Sequence, residues 1–496
     1  MTLHPKLLEI RGEIAAGINP DLHPDNQVIW EDSRNVTITA AGVKKMAGWK
    51  KTHANSRSDP VRGMEQVLSG KDKLLFWGSY NRLFRLLGDI ETDVSRGGLY
   101  NGQINAAGTT DATSWSMVEW GNWLVASNGI DPIQLYRHNV DSRFRDLNDG
   151  AGYNADDPPA FAEVLAKLGP HVIAFNTDEG GNAYEWCDKD DLSVWIPTSA
   201  NAAGGNILRD FDSPIVAAKR LGDRLAIYGN DRMAIMSYLG TPFYFGAKFA
   251  LKQIGAISKH SIVEDGRKNY GFGRRGFFVT DGATYTYIDD GRIRDTVFSE
   301  INWEQASKVC AFHKEARGEI IWYYPTGTNL EPNKGVVFNK LRNEWHFLDH
   351  GRTSGLELRI FDTPFTADSS GVIYQEETTG DADGSAMTAY VQSKPIAFQS
   401  PEGASLEDFV KYIEAIKLSI INKVGSSIKL KLGYKMDLEE DWKWWEARIQ
   451  SDPKKPLFPE ISGRWFTFRL ESDQLADTWE LQGLTVHGTI IGGNAQ

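Results

Sequence analysis

Along most of the chain, apolar and polar residues alternate in short runs bounded by glycine or Asx pairs, the period of strands with one buried face. The passage EDSRNVTITAAGVKKMAGWKK, Glu31 to Lys51, is typical. Val36 and Ile38 alternate with threonines, Ala40-Ala41-Gly42 turns the chain, and the run ends on Gly48-Trp49. Helical periodicity is nearly absent. PPAFAEVLAKLG, Pro158 to Gly169, opens on proline and closes on glycine and predicts one short helix. LEDFVKYIEAIKLSI, Leu406 to Ile420, predicts a helical start and then a strand, because Ile416, Leu418 and Ile420 alternate.

The strands fall into units of one layout. VRGMEQVLSGKDKLLFWGSYNRLFRLLGD has a strand, a Gly-Lys-Asp turn and two more strands, and WSMVEWGNWLVASNGIDPIQLYRH repeats it. PIVAAKRLGDRLAIYGNDRMAIMSYLG repeats it again, with Leu-Gly-Asp-Arg where the previous unit has Trp-Gly-Asn-Trp. Two further units follow, one from Ser261 and one from Val309. The spacing is roughly that of β-propeller blades, about 40–50 residues. Each unit is too one-sided to bury its own face, and radial packing around an axis solves that.

After Met387 the strands lengthen and alternate cleanly, as in AIKLSIINKVGSSIKLKLGYKM and GRWFTFRLES, which fits an antiparallel sandwich. Ile428, Leu430 and Leu432 share one strand face, as do Phe466, Phe468 and Leu470. The expected fold is therefore all-β: a propeller of six or seven blades with an added antiparallel β-sandwich. Residues 1–60 form an N-terminal segment and hairpin closing the propeller, 61–385 the propeller, and 386–496 the sandwich. Trp49 is expected to fill a gap between blades.

Composition supports a large core, with 41% hydrophobic residues, 16 Trp and 23 Phe in 496 residues. The formal charge is -12, from 66 acids against 54 bases. That sign argues against a chain built to grip nucleic acid, whose cations must neutralise phosphates. From His138 to Asp212, 14 acids face 5 bases, a net of -9. No run is apolar and long enough to suggest a membrane span or a leader. Cys187 and Cys310 stand far apart without metal-type spacing, so both read as reduced core thiols in a cytosol-made protein.

Catalytic signatures are weak. TTDATSW, Thr109 to Trp115, resembles a sialidase-type turn but lacks its glycine and does not recur. The histidines form no His-x-x-x-His pair, and GRRG, Gly273 to Gly276, is no phosphate loop. GDADGS, Gly380 to Ser385, has Asp381 and Asp383 at calcium-loop spacing without the closing Glu, so it reads as a turn. In WKWWEARI, Trp442 and Trp444 share a face and are expected to anchor the sandwich core, with Trp445 opposite as an interface aromatic rather than a sugar platform. No catalytic, cofactor-binding or metal-ligating residue is assigned, and the chain is not read as an enzyme.

GINPDLHPDNQVIWEDSRNVTITAAGVKKMAGW, Gly17 to Trp49, resembles the opening of tail nozzle proteins of short-tailed bacteriophages, also called tail tubular protein B or packaged-DNA stabilisation proteins. Those chains begin with a Gly-Ile-Asn turn, an Asn-Val strand, a hairpin and Gly-Trp. The likeness continues in Tyr184 to Phe245, in GAISKHSIVEDGRKNYGFGRRGFFVTDG and in the closing SGRWFTFRLES and DTWELQGLTVHG, while Tyr80 to Asp157 has no such match. The resemblance implies a virion tail component without cofactors, assembled in the host bacterial cytoplasm. It implies a ring of identical copies, usually a hexamer, below an adaptor ring, with a tail fibre or tip protein beside it. Double-stranded DNA passes through without specific binding.

A bore that repels phosphate weakly suits such a conduit, and identical copies repeat every carboxylate into a collar. Asp156, Asp157, Glu179, Asp188, Asp190 and Asp191 are the candidate channel-lining acids. The alternative is a glycan-binding or glycan-hydrolysing propeller acting at the host surface. A host protein-interaction propeller is a third.

Overall fold

The structure is a computed structural model that describes residues 6–10, 17–21, 30–52, 59–102, 114–149, 153–356, 359–399, 405–425, 428–449, 455–475 and 477–493. Seven four-stranded antiparallel sheets follow one another: blade 1 (64–93), blade 2 (116–146), blade 3 (162–207), blade 4 (217–252), blade 5 (262–287), blade 6 (310–348) and blade 7 (354–379 with Gly48–Lys51). Their innermost strands are Met64–Ser69, Ser116–Trp120, Ala162–Leu168, Ala217–Leu221, Ile262–Asp265, Cys310–Lys314 and Ser354–Leu356. Each packs beside the next and the last beside the first, so the ring is closed. In blades 1 to 6 the turn after the innermost strand carries a glycine (Gly70, Gly121, Gly169, Gly222, Gly266, Gly318) with φ between 60° and 66°. These are the recurrent glycines of the sequence units, and their left-handed backbone makes the tight reversal.

A separate apolar core fills each gap between neighbouring blades. Phe76, Tyr136 and Phe144 lie between blades 1 and 2, and Phe175, Trp186 and Met236 between blades 3 and 4. Trp49 lies with Phe312, Tyr323, Leu348 and Tyr374 between blades 6 and 7. The gap between blades 5 and 6 holds Phe277, Trp322 and Trp345, and its core runs without a break into the sandwich.

The sandwich has two sheets. One contains Val36–Ile38, Val43–Lys45, Thr478–Gly493, Phe409–Val424 and Ile461–Gly463, with Lys6–Ile10 paired to Thr478–Gly493. The other contains Trp30–Arg34, Ala389–Ser393, Trp465–Ser472, Lys429–Lys435 and Lys443–Arg448. Leu430 opposes Leu470 and Leu432 opposes Phe468, all buried between the sheets.

The opening segment divides between the two domains. Trp30–Arg34 and the hairpin from Val36 to Lys45 belong to the sandwich, and only Gly48–Lys51 pairs with the propeller, on Ile373–Thr379. A Cβ on Gly48 would fall 1.7 Å from the Asp381 carbonyl oxygen, which accepts from the Trp49 N–H at 3.0 Å. The GDADGS turn is therefore part of this latch, with Asp383 also accepting from the Lys51 N–H.

Two expected helical stretches are strands. Ala162–Leu168 is the innermost strand of blade 3, with Val164, Ala166 and Leu168 in the core toward blade 4 and Ala162 and Leu165 in the core toward blade 2. A strand buried on both faces gives a nearly continuous apolar run, which a helix also gives. Phe409–Val424 is strand throughout. Arg294–Glu300, by contrast, forms an α-helix that no capping pattern announced. Among the described residues, no helix is long and apolar enough to cross a membrane.

Candidate functional site

The buried histidines and thiols are built into the scaffold. Burial, with Lys219 and Lys259 nearby, pushes His260 down to about 3, and its Nε2 meets the Trp115 carbonyl at 3.0 Å. Burial beside Lys314 and Arg317 likewise takes His346 to about 3. His350 lies between the Tyr323 hydroxyl at 3.0 Å and Asn35 Oδ1 at 3.3 Å, well below its ordinary value. Burial raises the Cys187 and Cys310 thiols to about 12, so neither is a thiolate near neutral pH. Among the described residues no three His, Cys, Asp or Glu side chains gather as a metal site. Thr109 to Thr113 of the sialidase-like stretch lie outside the described residues, while Trp115 is buried with its Nε1 donating to the Ser79 carbonyl.

The six candidate acids lie around blade 3 but do not form one level. Asp156 Oδ1 accepts from the Trp195 and Ile196 N–H groups at 2.5 and 3.2 Å. Asp188 Oδ1 accepts from Lys189 and Ala202, and Asp191 Oδ1 from the Ser193 N–H and hydroxyl. Those three carboxylates fix the connection between the third and fourth strands, which also carries exposed Asp190. Glu179 sits in the turn between the second and third strands. Successive turns of an antiparallel blade lie at opposite ends, so Glu179 and Asp190 sit at opposite ends of the blade. Asp157 is exposed in the preceding connection.

The tryptophan cluster is turned over relative to expectation. Trp445 opposes buried Leu432 and packs half-buried against the sandwich core. Trp442 and Trp444 lie on the outer face, ring centroids 6.4 Å apart, over Gly433, where a Cβ would fall 3.1–3.2 Å from both rings. Trp444 is 44% exposed. A strand offers two faces, and its partners, not its own sequence, decide which turns inward.

The charged groups that converge most come from the innermost strands around the propeller axis: Glu65, Glu119, Glu163, Lys219 and Glu264, one from each of blades 1 to 5. Arg359, from the first connection of blade 7, pairs with Glu65 and stands 3.9 Å from Glu119. Lys259 Nζ binds Glu163 at 2.9 Å and donates to the Ser114 carbonyl at 2.7 Å. Burial raises the Glu65 carboxyl above its ordinary value, against the pull of Arg359, the Gln66 N–H and Lys219. Burial raises Glu264 too, against Lys219, Arg220 and Arg359. Lys219 of blade 4 thus acts on Glu65 of blade 1, across the axis. The result is a ring of carboxylates bridged by cations at the centre of the disc.

Sequence reading missed this set because its members come from separate units. One trace exists: aligned on the turn glycines, Glu119-Trp120-Gly121 and Glu264-Asp265-Gly266 place a Glu at the same position.

No family model matches the chain, and no curated protein matches it. Among solved structures, it aligns with one described as PorZ, an essential bacterial surface component of the type-IX secretion system of Porphyromonas gingivalis. The identity is 13% and the TM-score 0.36, over 80% of this chain and 46% of that one, so this chain spans less than half of that structure's length.

Proposed function

We propose that this chain is a structural subunit of the nozzle ring at the distal end of a short-tailed phage tail, through which packaged DNA is held and then released. The observation that carries the reading is where the nozzle-like motif residues lie. Ile18 of the Gly-Ile-Asn turn donates to the Trp345 carbonyl of blade 6 at 2.9 Å. Asn35 of the Asn-Val strand donates to Thr388 and accepts from the Asp349 N–H, bridging sandwich and propeller. Gly48-Trp49 latches blade 7. The opening part of the resemblance therefore falls on residues that join the two domains, which supports a shared architecture over a chance likeness of surface loops.

In this reading the partners are further copies of the chain, usually six, an adaptor ring above, and a tail fibre or tip protein. DNA passes without base-specific contact. The long hairpin of blade 4, Arg232–Gly240 and Tyr244–Lys252, carries exposed Tyr238, Leu239 and Phe243 at its tip, an apolar surface suited to a neighbouring copy. Electron microscopy of the purified chain, alone and with the adaptor ring, is expected to show hollow rings. A strictly monomeric particle that never engages an adaptor rejects the reading.

One observation favours the glycan-binding alternative: Trp442 and Trp444 stand side by side on an outer sheet face, a geometry on which sugar rings stack. Glycan-array binding that Trp444→Ala abolishes is its signature.

A further inference from the structure

The innermost-strand turns of blades 4 and 5 meet at a cleft of about 640 Å³, lined by Arg220, Leu221, Gly222, Arg224, Arg267 and two aspartates, Asp223 and Asp281. The Gly222 N–H donates to the Gly266 carbonyl at 2.7 Å and ties the two turns together. Three arginines line the cleft against two aspartates, a net of +1. Arg267 has no hydrogen-bond or ion-pair partner among the described residues. Arg220 spends only its Nε, on the Gly222 carbonyl at 2.8 Å, which leaves both terminal nitrogens to point elsewhere. Arg224 stands 3.9 Å from Asp223, a side chain 99% exposed, where water screens the pair. Asp281 Oδ1 is committed to the Ala283 and Thr284 N–H groups at 2.9 and 2.8 Å. Of the other nearby acids, Asp265 is paired with Lys340 at 2.6 Å, and Glu264 is shared by Lys219, Arg220 and Arg359.

We propose that this cleft binds a phosphate group through Arg220, Arg224 and Arg267. Planar guanidinium forks from separate turns match the several oxygens and the double charge of phosphate better than one carboxylate. The cleft is larger than a lone phosphate needs and lies open to solvent, so it has room for the molecule that carries the phosphate. A phosphodiester chain and a small phosphate ester share that chemistry. The inference stands on the cleft alone and does not depend on the nozzle reading.

The test titrates the full chain with inorganic phosphate by calorimetry, and with a labelled short DNA duplex by fluorescence anisotropy at low salt. Arg224→Gln and Arg267→Gln are compared with Arg274→Gln, which removes the same charge from an exposed turn at the opposite end of blade 5. Arg224→Gln and Arg267→Gln are each expected to weaken binding about tenfold, the scale of one charge-assisted contact, and Arg274→Gln to leave it unchanged. Phosphate that binds and displaces the duplex assigns a phosphodiester ligand. Phosphate binding without duplex binding assigns a small ester. Equal losses in all three variants, or no binding of either probe, overturn the proposal.

Discussion

The seam between blades 6 and 7 and the axis of blades 1 to 5 use the same ionisable residue types in opposite ways. At the seam, Arg352 lies between the Trp49 and Tyr374 rings, 4.4 and 4.6 Å from their centroids. Its Nε donates to Thr366 Oγ1 at 2.8 Å and to Glu376 Oε1 at 3.1 Å, and the Arg352 and Glu376 side chains are only 4% and 1% exposed. At the axis, Arg359 is 48% exposed and Lys219 has no ion pair among the described residues. Charge sealed between aromatic rings holds one arrangement, whereas charge left partly open remains available to something else.

Acid should separate the two regions most. His346, beside Lys314 and Arg317 of the seam, is held at about 3 against 6.5 when unfolded, so the folded state refuses a proton the unfolded state accepts. Its contribution is complete above pH 6.5 and is lost as pH falls from 6.5 toward 3, by about 4 kcal/mol at the lower end. Burial would raise Glu376, but Arg352, Lys314 and His350 hold it at about 2, so its contribution disappears as pH falls from 4.5 to 2. Glu65 and Glu264 have raised carboxyls and run the other way: the stability lost by burying their charge returns as they protonate. Urea unfolding of the wild type from pH 7 to 4 should show falling stability, and His346→Gln should flatten the slope. A flat wild-type profile breaks the comparison.

The next largest effect concerns a single cation. Arg352→Met leaves Glu376 buried beside apolar rings and should cost about 3–5 kcal/mol. Arg359→Met should cost less, because Arg359 is itself 48% exposed and the Gln66 N–H and Lys219 still act on the largely buried Glu65, whose raised carboxyl can take up a proton. Thermal unfolding of the two variants checks this, and similar losses would erase the distinction between sealed and open charge.

How much of this was legible depended on whether the signal was local. Blades 1, 2, 4, 5 and 6 were readable because each carries its own glycine turn, and Gly48-Trp49 was readable as the partner of a late blade. Ala162–Leu168 misled because both faces of an innermost strand are buried, which erases the period-2 signature. Trp442 and Trp445 were inverted because one residue of register exchanges the faces of a strand, and only the pairing of Trp445 with Leu432 fixes it. The axial glutamates and the Arg220–Arg267 cleft were invisible, since closure of the ring brings together residues that are far apart along the chain.

Closure itself gives a smaller, sharper test. Gly48→Ala places a Cβ 1.7 Å from the Asp381 oxygen, and backbone cannot yield as a flexible side chain does. The latch strand must shift, at about 1–3 kcal/mol. Limited proteolysis should then cut near residue 52 faster than in the wild type. Gly70→Ala is the control, because nothing lies within 4 Å of its Cβ and only its left-handed backbone is strained.

The smallest expected difference lies within one strand of the sandwich. Trp445 packs on the core, so Trp445→Ala removes apolar contact and should lower stability by about 2 kcal/mol. Trp444, 44% exposed on the outer face, should cost less than about 1 kcal/mol when replaced by Ala. Chemical denaturation of the two variants measures the gap directly. Equal losses would mean that something covers the outer face, as a ring of copies could. A clear gap leaves Trp442 and Trp444 as an open aromatic surface, and loss of glycan binding in a fully stable Trp444→Ala chain would then count against the nozzle reading.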